Sequence, residues 1–367
     1  MSKSVATTTP LADIREWMAN RHLSAAYITH PVSIAYVTGF YAEPFERLMA
    51  LVVRPDGGTL IVPAIERQKA AAQVTNAEVV AWRDGEDPYA LVSTALGGSS
   101  EIAVEKGHLS LRAAEVITSR TGASELVDVG EEIRRFRLIK HEDEIDKLLR
   151  AAAITDAAGD EVFSRMRAGQ SEVDVALMIG SVIGKLGGTL SFETLVQSGP
   201  NSALPHGKPS SRNLEPGDFV LLDFGAAFQG YKADTTRMAV VGDPSARHVE
   251  IHDLVLAAHD AAIATVRPGV TTGDVDAAAR RVIEAGGYGE RFFHRVGHGI
   301  GLEGHEDPSL DPGSRMILES GMVFTIEPGI YIPGFGGVRI EDDVVVEDGG
   351  CRVLTKADRS LRVITAH

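Results

Sequence analysis

Two stretches of this chain repeat one another at an offset of 100 residues, without a gap. Residues 167–187 and 267–287 are identical at 7 of 21 positions, and each copy opens with Ser or Thr three residues before Asp and closes on glycine. That pattern is a start and stop signal for an amphipathic helix. Two well-capped helices would explain it, but the length of the match favours a duplicated half-domain. Duplicated halves tend to place a site at their interface, so we expect a pseudo-two-fold unit with its site between the halves.

Composition excludes several classes of protein. The chain carries 36 Lys and Arg against 51 Asp and Glu, a net charge of −15. An acidic chain cannot displace counterions from nucleic acid, and anionic membrane surfaces are disfavoured for the same reason. The single cysteine, Cys351, excludes an intramolecular disulfide and a cysteine zinc cluster. No apolar stretch has signal-peptide or membrane-helix length, so we expect a cytoplasmic protein with no nucleic-acid or membrane partner.

The first third of the chain alternates strand-like and helix-like segments. Runs 50–53 and 59–62 are rich in β-formers and flank a Pro-Asp-Gly-Gly turn, 64–74 is helix-like, and 79–82 is a further strand. A helical pattern begins near residue 142, after a densely charged segment. We therefore predict an α/β protein with a small α/β domain over 1–137 and a larger duplicated domain over 138–367.

Two aspartates interrupt apolar segments on either side of a turn signal. Asp223 and Asp234 flank Gln229 and Gly230, which suit a two-residue hairpin turn. Asp234 then faces Gly225, and Asp223 lies two residues along on the same side of the sheet. The pair is predicted to be diagonal across two strands, with Cα atoms about 7–8 Å apart.

Two glutamates repeat this arrangement further along. Glu327 precedes a loop taken as residues 333–337, and Glu341 follows it. A five-residue loop places Glu341 opposite Gly329, with Glu327 two residues further on the same face. A β-bulge would change this register.

Four carboxylates among apolar residues need a strong positive partner, because buried like charges are costly. One alternative is pairing with Arg237, Arg339 or Lys232. The other is metal: carboxylates with a histidine nitrogen suit a hard divalent ion such as Mn²⁺, and bridging carboxylates imply two ions about 3.5–4 Å apart.

Four of the twelve histidines lie in two segments rich in Gly or Pro, 198–207 and 292–306. They are His206, His294, His298 and His305. Each alone is more often a core or surface residue, but the clustering favours a cleft of rigid irregular backbone. The glycine-rich run 297–301 lacks the lysine and hydroxyl residue of a phosphate-binding loop, and no serine or cysteine nucleophile motif is present.

These residues resemble those of the pita-bread metallopeptidases, which include prolidase, aminopeptidase P and methionine aminopeptidase. Five positions match the family's metal ligands: Asp223, Asp234, His298, Glu327 and Glu341. The N-terminal part, through 34–40 and the junction at 139–140, resembles the small creatinase-like domain that precedes the catalytic domain in prolidase and aminopeptidase P.

The resemblance implies roles for the remaining site residues. His206 and His305 match histidines near the scissile bond and are expected to act with Glu327, a ligand that also relays a proton. His294 is expected to line the substrate pocket. Arg339 is expected either to bind the substrate's terminal carboxylate or only to orient a ligand carboxylate.

The implied activity is hydrolysis of the peptide bond before proline with two divalent ions, Mn²⁺ favoured over Co²⁺ or Zn²⁺, in a homodimer acting on small peptides. An Xaa-Pro dipeptidase is the favoured interpretation. The alternatives are an aminopeptidase P, a hydrolase or lyase of a non-peptide molecule, and a non-catalytic binding module, which the complete ligand set disfavours. Arg295 and Lys232 depart from the family pattern and leave the fine specificity open.

Overall fold

The computed structural model describes residues 9–205 and 207–366 and divides into two units, Met1–Arg137 and Leu138–His367. Both mix helices and strands, which confirms the predicted α/β class. None of the helices in the described ranges has the length and apolar character that a membrane crossing requires.

The N-terminal unit is a six-stranded mixed sheet with apolar clusters on both faces. Its strands, in the order β4-β3-β2-β1-β5-β6, are β1 (Ala25–Ile28), β2 (Ala50–Arg54), β3 (Gly57–Pro63), β4 (Glu78–Trp82), β5 (Glu101–Val104) and β6 (Glu125–Asp128). Its helices are α1 (Pro10–Asn20), α2 (Pro31–Thr38), α3 (Arg67–Gln73), α4 (Pro88–Leu96), α5 (Leu111–Thr121) and α6 (Gly130–Leu138), the last of which begins in this unit. The predicted hairpin, helix and strand over 50–82 correspond to β2, β3, α3 and β4.

The C-terminal unit places four helices over several short sheets. The helices are α7 (Glu142–Arg165), α8 (Glu172–Lys185), α9 (Ala246–Thr265) and α10 (Thr272–Ala285). The strands of its first half are β7 (Thr189–Leu190), β8 (Leu195–Ser198), β9 (Phe219–Phe224), β10 (Ala226–Phe228), β11 (Tyr231–Lys232) and β12 (Thr235–Val241). Those that follow are β13 (His298–Gly299), β14 (Glu306–Ser309), β15 (Val323–Ile326), β16 (Gly329–Ile332), β17 (Gly336–Arg339), β18 (Asp342–Glu347), β19 (Gly350–Val353) and β20 (Arg362–Ile364).

The sequence repeat is realised as α8 and α10, whose bounds also differ by 100 residues. Ser171 and Thr271 cap them, each in a reciprocal capping box with the aspartate three residues later. One apolar cluster joins α7 and α8 to β9 and β12, and a second joins α9 and α10 to β15 and β18. The second cluster also includes Phe219, Leu221 and Met238 of β9 and β12. The predicted duplication is therefore present as two helix pairs, each packed on strands of its own half, with β9 and β12 contributing to both clusters.

The first acidic hairpin has the predicted register. Phe228 pairs with Tyr231 and Phe224 with Thr235, which leaves Asp234 opposite Gly225. Gln229 and Gly230 have φ angles of 51° and 88°, as the twist of a two-residue hairpin requires.

The register predicted for the second acidic hairpin is wrong. Arg339, not Glu341, pairs with Gly329, and the continuing register places Glu327 opposite Glu341. The loop is shorter than predicted because Gly336 extends the strand and pairs with Ile332. A shift of two residues leaves the same side chains on the same face, so the acids still converge.

Gly225 is where the two strands of the first hairpin approach most closely. A Cβ there would lie 1.8 Å from the carbonyl oxygen of Ala233, and backbone cannot move aside as a flexible side chain can. We expect Gly225→Ala to lower the free energy of unfolding by about 1–3 kcal/mol, measured by urea denaturation. Gly184→Ala in α8 meets open space and should raise it by about 0.5–1 kcal/mol. An unchanged stability for Gly225→Ala would contradict this close approach.

Candidate metal centre

The five predicted ligands come from separate strands or strand ends of the C-terminal unit. Asp223 lies in β9, Asp234 directly before β12, His298 in β13, Glu327 directly after β15 and Glu341 between β17 and β18. The first two belong to the first half and the other three to the second. The backbone bridge that Glu341 makes to the start of β12 joins the halves at this point.

The ligand atoms converge in a buried cluster. One ligand atom each from Asp234, His298 and Glu341 lies within 4.8 Å of the others. His298 Nε2 is 3.4 Å from Glu327 Oε1 and 3.9 Å from Asp234 Oδ2. These separations leave room for a cation between the side chains.

Crowded carboxylates dominate the electrostatics of the cluster. Burial first, then neighbouring acids, raises the pKa of Asp234 and of Glu341 well above the ordinary carboxyl value. The pKa of Asp223 is also raised, mainly by burial. Burial acts on Glu327 in the same direction, but interactions with His298 and Arg339 outweigh it and lower the Glu327 pKa. Such a cluster is stable only when protons or a cation neutralise it.

Two oxygens in the cluster lack partners. Oδ1 of Asp223 and Oδ1 of Asp234 are buried without a hydrogen bond to any atom in the described ranges. Unsatisfied buried polar atoms are rare in native proteins and point to an ion or a function. Carboxylate oxygens with one imidazole are the donor set of a hard or borderline divalent metal. The residues present therefore fit a divalent metal.

The His298 ring is oriented for ligation. Its Nδ1 lies 3.1 Å from the carbonyl oxygen of Gly299, and a carbonyl can only accept. Nδ1 therefore carries a proton, and Nε2 is the ring nitrogen that faces the acids and is placed to bind a metal. The His298 backbone N–H is held by Thr325 Oγ1 at 3.1 Å.

All three guanidinium nitrogens of Arg339 donate hydrogen bonds to side chains of the site. Nε donates to Thr236 Oγ1 at 2.9 Å, Nη1 to the Tyr331 hydroxyl at 3.2 Å and Nη2 to Asp223 Oδ2. Thr236 in turn donates to Glu341 Oε2 at 2.6 Å. Arg339 therefore pairs directly with one predicted ligand, Asp223, and is linked through Thr236 to a second, Glu341.

The other predicted histidines differ in their surroundings. The His305 ring lies 4.0 Å from that of His298 and is exposed, so it borders the cluster. His294 is held by the Arg295 carbonyl at 2.7 Å and the Tyr331 hydroxyl at 3.0 Å. Burial lowers the pKa of His294. His206 lies outside the described residues.

Two residues of the site were not predicted from the sequence. Tyr331 joins His294 to Arg339, and Asp343 accepts the backbone N–H of Asp234 at 3.0 Å. Strand alternation could have found Tyr331, because it shares a face with Gly329. No sequence signal links Asp343 to a residue 109 positions away.

Known proteins share this fold and its two domains. Residues 146–348 match metallopeptidase family M24, and residues 10–139 match the creatinase/prolidase N-terminal domain. An uncharacterized peptidase of Staphylococcus aureus strain USA300 is 37% identical over 353 residues, 96% of this chain and 100% of its own length. The chain belongs to metallopeptidase family M24, and it is a metal-dependent peptidase.

Two solved structures illustrate the likeness. An Xaa-Pro dipeptidase from Bacillus anthracis superposes with a TM-score of 0.90 at 35% identity, covering 97% of this chain and 99% of its own. An X-Pro aminopeptidase from Thermotoga maritima superposes with a TM-score of 0.87 at 34% identity, covering 94% and 98%. The expected pita-bread prolidase and aminopeptidase P branch is confirmed.

Proposed function

We propose that this chain hydrolyses the peptide bond before proline in Xaa-Pro dipeptides, with two divalent ions held by Asp223, Asp234, His298, Glu327 and Glu341. The observation that carries the proposal is the buried cluster of Asp234, His298 and Glu341, with Glu327 3.4 Å from His298. Two carboxylate oxygens, Oδ1 of Asp223 and Oδ1 of Asp234, have no hydrogen-bond partner among the described residues. Mn²⁺ is the proposed metal, because four carboxylates outnumber one imidazole.

The chemistry follows from the positions of the side chains. Bound divalent ions supply a water of lowered pKa and polarise a carbonyl oxygen. The lowered pKa of Glu327 keeps its side chain ionised. The carboxylate can therefore accept the proton of the attacking water. His305, exposed beside His298, donates to the oxygen that becomes negatively charged. His206 is proposed for the same role from the family resemblance, and His294 for the pocket wall.

Between the two roles open for Arg339, we propose that it orients ligands. Each guanidinium nitrogen already donates to a side chain of the site, so binding a substrate carboxylate would require giving up at least one of these contacts. Another cationic group would then bind the terminal carboxylate of a dipeptide.

Substrate length tests the proposal. With Mn²⁺ added, we expect kcat/KM for Ala-Pro to exceed that for Ala-Pro-Ala by about tenfold or more, measured by release of alanine. Ala-Ala is the control for the proline requirement. Preference for the tripeptide would make the chain an aminopeptidase, a reading that the likeness to the Thermotoga maritima enzyme also supports. Metal binding without cleavage of either peptide would favour a non-peptide substrate.

We further propose that the protein is a cytoplasmic homodimer. The single cysteine suits a reducing compartment, and the dimer follows from the family resemblance. Light scattering on the purified chain tests the dimer, since a monomer mass would contradict it.

A further inference from the structure

Asp276 and Arg280 form an ion pair on α10 that reaches beyond the helix. Arg280 Nε and Nη2 donate to the two carboxylate oxygens at 2.9 and 2.8 Å, and Asp276 is 1% exposed. Arg280 also donates to the backbone carbonyls of Phe292 at 2.8 Å and His294 at 3.0 Å. Asp276 Oδ1 accepts the backbone N–H of Val296 at 3.1 Å. The pair thus holds three backbone groups in the segment 292–296.

The segment 292–296 is connected to two predicted ligands, His298 and Glu327. The Val296 peptide lies between the pair and the cluster, because its carbonyl accepts the backbone N–H of Glu327 at 2.7 Å. His298 follows Val296 by two residues. A shift of 292–296 would therefore displace one ligand through a hydrogen bond and the other through the chain.

The repeat shows that the duplicated helix does not need this pair. The positions in α8 that correspond to Asp276 and Arg280 are Ala176 and Gly180, which cannot form it. The first half has a different buried carboxylate, Glu172, which accepts the backbone N–H groups of Ser198 at 2.7 Å and Ser210 at 2.9 Å. Of the two repeated helices, only α10, in the half that contains His298, therefore carries this pair.

We propose that the Asp276–Arg280 pair positions His298 and Glu327 and thereby sets the affinity of the centre for metal. This inference rests on the proposed function. Arginine suits the task because its planar fork serves a carboxylate and two carbonyls together, which a lysine ammonium cannot do. Residues that orient metal ligands typically contribute about 10–100-fold to metal affinity.

Calorimetric titration of the metal-free full chain with Mn²⁺ tests the proposal. Arg280 Cζ lies 4.2 Å from the centroid of the Phe292 ring. Arg280→Met keeps an apolar side chain beside this ring but loses the guanidinium and every hydrogen bond. We expect it to weaken Mn²⁺ binding by about tenfold or more. Arg280→Lys keeps the charge beside Asp276 and should weaken it less. Asp276→Asn should resemble Arg280→Met.

The control separates positioning from stability. Val175→Ala truncates a buried residue of α8, the helix that corresponds to α10, and should lower the unfolding temperature while leaving Mn²⁺ affinity unchanged. Wild-type affinity in Arg280→Met, with an unfolding temperature lowered as in Val175→Ala, would show a purely structural pair and overturn the inference. If Arg280→Met fails to fold, the milder Arg280→Lys decides by the same measurement. Failure of the unmodified chain to bind Mn²⁺ would instead overturn the proposed function.

Discussion

Glu327→Gln is expected to lower kcat for the preferred dipeptide by about 10²–10⁴-fold, the usual contribution of a general base. Glutamine has nearly the same shape and keeps one carbonyl oxygen toward the cluster, but it cannot accept the proton of the attacking water. It also removes the carboxylate that lies 3.4 Å from His298 Nε2. Steady-state rates at saturating Mn²⁺, with bound metal measured on the same samples, give the result.

Measuring bound metal separates two possible causes of a lower kcat in Glu327→Gln. A low kcat with metal still bound would assign the loss to proton transfer, whereas a low kcat with metal lost would assign Glu327 mainly to ligation. Glu347→Gln at the exposed end of β18 is the matched control and should leave kcat unchanged. Activity of Glu327→Gln within about tenfold of the unmodified chain would contradict the proposed role.

Turn residues predicted the register of the first hairpin, whose two strands are adjacent along the chain. The turn at Gln229 and Gly230 requires positive φ angles at both residues, and that requirement sets the register of the first hairpin. The second hairpin turns at Pro333 and Gly334, where the Phe335 N–H donates to the Ile332 carbonyl at 3.0 Å. Pro followed by Gly is a strong turn signal, but the glycines after Phe335 made the loop look longer than it is. The shift by an even number of residues kept Glu327 and Glu341 on the same face of the sheet.

Contacts between distant segments explain what the sequence could not predict. Asp343 meets Asp234, and Asp276 meets Val296, only because the tertiary fold brings separate elements together. Acidic residues are frequent in this chain, and nothing in their immediate neighbours distinguishes these two. The five proposed ligands could be selected from the sequence because their spacing resembles that of a known family, and strand alternation could have selected Tyr331.

Arg237→Met should destabilise the C-terminal unit more than any surface substitution. Arg237 is 1% exposed and donates to the carbonyls of Thr236 at 3.0 Å, Glu341 at 2.6 Å and Ala357 at 2.9 Å. It also donates to Asp342 Oδ1 at 2.6 Å, and that carboxylate is fully buried. Removing the guanidinium leaves a buried negative charge with fewer partners, which costs about 3–5 kcal/mol.

Urea denaturation of the metal-free protein measures this loss without the contribution of bound metal. Arg165→Met is the matched control, because Arg165 pairs with Glu161 at 2.8 Å on an exposed face of α7; such pairs contribute about 0–1 kcal/mol. Arg237→Lys should fall between the two, since one ammonium cannot serve the three carbonyls and Asp342 together. Arg359 and Thr355 also donate to Asp342, and His259 Nε2 lies 3.2 Å from its Oδ2. A loss for Arg237→Met as small as that of Arg165→Met would mean that these remaining partners are sufficient for the buried carboxylate.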